Sequence, residues 1–142
     1  MSRDTEIQAL LDGGTQIAWR IAEDRVRTRS AVVHALARLS DSQISGLFSA
    51  ELPVEVFAPS EHQTYQVATR RFVLIGAERG QAVEGRAEQI YLGPVLERMD
   101  PTEVYVTVLR ALTYTLELLS GRNDFEARRV ADAIPGGGLR IN

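Results

Sequence analysis

Phe72-Val73-Leu74-Ile75-Gly76 is the stretch on which the fold turns. Four apolar residues in a row, closed by glycine, suit a buried strand. If Glu78-Arg79-Gly80-Gln81 is a turn and Val83, Gly85 and Ala87 form one face of a return strand, residues 64–92 make a β-hairpin and the domain is α+β. Helical spacing fits the same segment, through Tyr65, Ala68, Phe72 and Ile75 and then through Val83, Ala87, Ile90 and Tyr91. Ser60 and Gln63 stand at capping-box spacing just upstream, where a hydroxyl covers an orphan amide and the glutamine reaches back. That signal favours helix, so the expected fold class is all-α, with the hairpin as the alternative.

The flanking sequence is consistent with a bundle of six or seven helices, at about 3–12, 15–39, 41–51, 61–76, 80–92, 101–120 and 124–134. Ser40 to Gln43, Asp100 to Glu103 and Asn123 to Glu126 repeat the capping-box spacing after a break and before an apolar run. Gly13-Gly14, Pro53 to Pro59, Gly93-Pro94, Gly121 and Pro135 separate the segments. The helix from Pro101 is the clearest, because Tyr105, Val108, Leu109, Leu112, Leu116 and Leu119 share a face and glycine follows. Val104, Ala111 and Leu118 give it a second apolar side, which places it centrally. Residues 1–134 are read as one domain and 135–142 as a flexible tail.

All sixteen basic residues are arginine. An arginine-coding bias explains most of them, alongside the abundance of alanine, glycine and valine, but two groups stand apart. On a helical wheel Arg20, Arg27, His34 and Arg38 form one stripe, a candidate surface for an anion or an acidic partner. Arg25 and Arg29 instead fall among Ala18, Ala22, Val26, Val33 and Leu36, and an arginine in an apolar arc must find a carboxylate, reach the surface or meet a partner chain. A subunit contact and an internal salt bridge are the two readings.

The net charge of −3 argues against a wholly basic nucleic-acid binder, although a local patch remains compatible with it. With no cysteine there is no thiolate chemistry, and no apolar run reaches the length of a membrane span. The charged N-terminus lacks a following apolar region, so a cytoplasmic location is expected. The two histidines, His34 and His62, do not stand at metal-ligand spacing, no Gly-x-Ser-x-Gly occurs, and the glycines form no phosphate loop. Carboxylates such as Glu61, Glu84 and Glu88 have no spacing that recommends catalysis. An enzyme is thus compatible with the sequence but unsupported by any motif in it.

Over residues 45–134 the order of helices resembles that of a globin. Met99-Asp100-Pro101-Thr102-Glu103 is similar to the opening of the globin G helix, and Ala111-Leu112-Thr113-Tyr114-Thr115-Leu116-Glu117 to its core. Leu47-Phe48, Pro53 and Phe57 echo the region before the E helix. The resemblance implies helices equivalent to E, F, G and H at 61–76, 80–92, 101–120 and 124–134. It departs at Leu92-Gly93-Pro94-Val95-Leu96, because no histidine stands at or beyond the proximal position. The type implied is haem-free, a bacterial sensor or interaction module, with no cofactor expected. His62 and Tyr65 are the candidate ligand-contacting residues, and unusual haem ligation by His62 with Tyr65, Tyr91 or Met99 is the alternative. The functional expectation is a non-catalytic regulatory or protein-interaction module that self-associates. Nucleic-acid or phosphate binding through the arginine stripe ranks below it.

Overall fold

The computed structural model describes residues 5–7, 19–47, 55–60, 72–75 and 89–134. Helix predominates among them, but the all-α expectation is corrected by a parallel sheet. Its strands are β1 (Trp19–Ile21), β2 (Glu55–Ala58), β3 (Phe72–Ile75) and β4 (Gln89–Leu92), in the order β1-β2-β4-β3. Trp19 lies beside Val56, Val56 beside Ile90, and Val73 beside Ile90 on the other flank. The helices are α1 (Val26–Ala37), α2 (Asp41–Leu47), α3 (Pro101–Leu119) and α4 (Asp124–Asp132), with a 3-10 turn at Pro94–Arg98.

Phe72–Ile75 is therefore a strand, as the hairpin alternative has it, yet its partner is different. It pairs in parallel with Gln89–Leu92, not in a hairpin with a strand at Val83 to Ala87, and those last residues lie outside the described ones. Parallel strands are covered on both faces, so they read as unbroken apolar runs rather than as alternating ones. Ile90, Tyr91 and Leu92 are all buried, which shows the double cover directly at the inner strand β4. Helical spacing across such a run is a coincidence of having every position apolar. The strands at 72–75 and 89–92 fall within the segments expected as the E and F helices of the globin layout, whose other residues lie outside the described ones, whereas the segments expected as G and H are helical at Pro101–Leu119 and Asp124–Asp132.

The expected helix at 15–39 divides into β1, a turn at Glu23-Asp24 and α1. Arg25 is the N-cap of α1 and offers no side-chain cap to it. The other starts obey the sequence. Ser40 and Gln43 exchange the two hydrogen bonds of a capping box at 2.9 and 3.2 Å. The Thr102 amide donates to Asp100 at 2.9 Å, and the Glu126 amide to Asn123 at 2.8 Å. The proposed box at Ser60 to Gln63 runs into residues outside the described ones.

Helix α3 is central, as its two apolar sides require. Val104 and the run from Val106 to Leu112 are buried, together with Tyr114 and Thr115, and the helix packs chiefly on α1 and α4. Val56, Ala58, Ile90 and Leu92 join the same core from one face of the sheet, with Val32, Ala35 and Leu36 of α1. Each large apolar side chain so buried contributes about 1.5–3 kcal/mol. Arg110 lies within this layer and donates to the Ile134 carbonyl at 2.7 Å, holding the end of α4. Tyr114 donates to Asp124 across the α3–α4 junction.

Candidate functional site

In a parallel sheet the strand carbonyl ends and the helix amino ends converge on one edge, the usual place for a binding site in such folds. Here that edge is held by Arg25, whose side chain is 1% exposed. One guanidinium nitrogen donates to the Pro59 and Leu92 carbonyls at 2.7 and 2.9 Å. The other donates to the Gly93 carbonyl at 2.7 Å and to the Thr28 hydroxyl at 2.9 Å. Pro59 follows β2, and Leu92-Gly93 ends β4, so one planar fork ties two strand ends to the start of α1. Burial lowers the Arg25 pKa, and the nearby Glu97 charge opposes that shift.

Glu97 completes the cluster from the 3-10 turn, its carboxylate 3.7 Å from the Arg25 Nε. One oxygen accepts from the Arg27 amide at 3.0 Å; the other accepts from the Thr28 amide at 2.5 Å and hydroxyl at 2.6 Å. These are amides of the first turn of α1, so Glu97 performs from a distant segment the task that an N-cap side chain usually performs. Partial burial pushes its pKa up, but the Thr28 and Arg27 hydrogen bonds and the Arg25 charge more than offset this and hold the carboxyl below its ordinary value. The positive end of α1, where a phosphate could otherwise seat, already carries a carboxylate of the same chain.

Outside this cluster lies a groove of about 420 Å³ between α1 and the start of α3. Val26, Arg27, Ser30, Ala31 and His34 line it from α1, Pro101 and Tyr105 from α3, and Glu97 closes one end. Val26 is 69% exposed. The Arg27 guanidinium donates to the Met99 carbonyl. Beyond the start of α1, the Ser60 hydroxyl donates to Asp24 at 2.7 Å, both residues being exposed.

The arginine stripe divides accordingly. Arg27, His34 and Arg38 are exposed along α1, and the first two line the groove. Arg20 belongs to β1, with its guanidinium 5.8 Å above the Phe57 ring, so it is not part of a helical stripe. Of the two arginines in the apolar arc, Arg25 faces inward to an internal carboxylate, and Arg29 is half-buried on α1. Tyr91 is buried in β4, on the row of the sheet that carries Phe57, with the two rings 6.2 Å apart. His62, Tyr65, Glu61, Glu84 and Glu88 lie outside the described residues.

Thr28 and Glu97 were not singled out by sequence reasoning, and only the need of a buried arginine for a carboxylate pointed towards a partner. Among the described residues, no three histidine or carboxylate side chains are grouped to hold a metal ion, and no helix is long and apolar enough to cross a membrane. Compared with protein-family models, curated proteins and solved structures, the chain matches none.

Proposed function

We propose that this chain is a non-catalytic regulatory or interaction module, and that it recognises a protein segment in the groove between α1 and α3. The observation that carries this reading is how the polar groups at the sheet edge are used. The Arg25 donors and both Glu97 oxygens are directed inward, into the fold itself. What faces outward is an open groove with an apolar side of Val26, Ala31 and Pro101, edged by Ser30, His34 and Tyr105. Such a mixture suits a peptide or helix that inserts apolar side chains and makes a few hydrogen bonds at the rim.

Phosphate recognition has less support, because Glu97 occupies the helix terminus and Arg20 is separated from Arg27 and Arg38. A random-peptide display library selected against the full chain tests the proposal. Enriched peptides should perturb the amide resonances of Val26, Ser30, His34 and Tyr105, and Ser30→Arg should abolish their binding. Selected peptides that bind Ser30→Arg as well as the wild type would place recognition elsewhere and refute it.

A further inference from the structure

We infer that the segment received by this groove is recognised through a carboxylate, the side chain of an aspartate or glutamate beside an apolar residue, and that Arg27 binds it. The inference rests on the groove being an interaction surface and names the chemistry of its occupant. Among the described residues that line the groove only Glu97 carries a carboxylate, and its charge is already answered within the fold. One oxygen accepts from the Arg27 amide, the other from the Thr28 amide and hydroxyl, and the Arg25 guanidinium lies 3.7 Å away. Asp100, at the start of α3, is likewise turned to the Thr102 amide of its own helix.

Arg27 differs. It is exposed, and its Nη1 donates to the Met99 carbonyl, which anchors the guanidinium against the turn before α3. Among the described residues no carboxylate stands at ion-pair distance from this guanidinium. The edge formed by Nε and Nη2 takes no part in the bond to Met99, and two parallel donors on one edge match the two oxygens of a carboxylate. The Ser30 and Tyr105 hydroxyls lie along the same groove and can donate to that ligand too. A lining of donors whose one acidic member is saturated complements an anion. Val26, next to Arg27 and 69% exposed, supplies apolar surface for the neighbouring side chain of the segment. Because the groove is open, the segment runs through it and brings its carboxylate on a side chain, not on a chain end. The protein as a whole carries a net charge of −3, so an acidic segment gains nothing from long-range attraction and a preference for it has to arise in the groove.

The display-selected peptides, resynthesised in pairs with each aspartate or glutamate kept or replaced by asparagine or glutamine, test this by fluorescence anisotropy on the full chain. The acidic member should bind the wild type about tenfold more tightly than its amide partner, or better. Amidating the peptide C-terminus should change nothing. Arg27→Met should reduce the preference to within about threefold, whereas Arg38→Met, on an exposed arginine outside the groove, should leave it whole. Matching thermal melts confirm that the variants fold, and a readout on the wild type needs no variant: the acidic member alone should shift the Arg27 Nε resonance. Equal binding of the paired peptides, a preference that amidating the C-terminus removes, a preference that survives Arg27→Met or an unmoved Arg27 resonance overturns the inference. If the peptides are then still lost on Ser30→Arg, the carboxylate alone fails and the groove reading stands; if no peptide is enriched, both fail.

Discussion

Replacing Arg25 by methionine removes the clamp while keeping much of its volume, and its cost can be worked from the contacts. Three carbonyls, of the buried residues Pro59, Leu92 and Gly93, lose charged donors at 2.7 to 2.9 Å, and Thr28 loses a fourth bond. A buried acceptor left unpaired costs about 1–3 kcal/mol, and the lower end applies where a strand carbonyl keeps another partner. Glu97 also loses its nearest cation, but its side chain is 24% exposed and retains the Arg27 and Thr28 donors, so that part is small. The expected loss is about 3–5 kcal/mol, a large share of the ~5–15 kcal/mol that holds a domain together. Urea denaturation followed by far-ultraviolet circular dichroism measures it, with the slope unchanged if the denatured state is unaffected. Arg25→Lys should fall between the two, at about 2 kcal/mol, because an ammonium cannot reach all four acceptors in the fork geometry. An Arg25→Met variant within about 1 kcal/mol of the wild type at unchanged slope would refute the reasoning, since unpaired buried acceptors cannot be that cheap.

Four further outcomes are expected. Because the Glu97 carboxyl is held below its ordinary value of 4.5, its contribution is complete above that pH and is lost as pH falls through the native value. Glu97→Gln should therefore cost about 1–2 kcal/mol at neutral pH and flatten the acid limb of the stability curve, measured by denaturation at a series of pH values. Burial, helped by its bond to the Asp124 carboxylate, pushes the Tyr114 hydroxyl from 10.0 up to about 12, so the stability it confers persists to the ordinary value and fades as pH rises between the two. Tyrosinate absorbance should show a late-titrating phenol that Tyr114→Phe abolishes. Gly121, at φ 100°, closes the turn after α3, and Gly121→Ala should cost about 1 kcal/mol or more in thermal melts. By contrast Gly46→Ala, whose new methyl would sit 3.8 Å from Leu116, should stabilise α2 by about 0.5 kcal/mol.

Where short-range chemistry decides, the sequence was readable. Asp100-Pro101 and Asn123 mark helix starts through side chains adjacent to the amides they cover, and the burial of α3 follows from its two apolar sides. The strands were hidden for a different reason. Phe72–Ile75 and Gln89–Leu92 pair with one another and, through β4, with β2, so their partners are remote, and the burial of Ile90, Tyr91 and Leu92 together erases in β4 the alternation that announces a strand. Trp19–Ile21 spans only three residues, too few to interrupt the helical spacing around it. The site was half legible. Arg25 was conspicuous as a charge in an apolar arc, yet nothing local names Glu97, which is 69 or 70 positions away from the amides it caps.

That separation bears on how the chain is made. Helix α1 emerges from the ribosome with its first-turn amides uncovered, and the carboxylate that covers them is synthesised 70 residues later. At roughly 5–20 residues per second the interval lasts about 4–14 seconds. During it Arg25 has neither Glu97 nor the ends of β4 to receive its protons, and the apolar side of α1 has no α3 to lie against. The start of α1 thus gains its covering carboxylate and the acceptors of Arg25 only once the C-terminal half has been made.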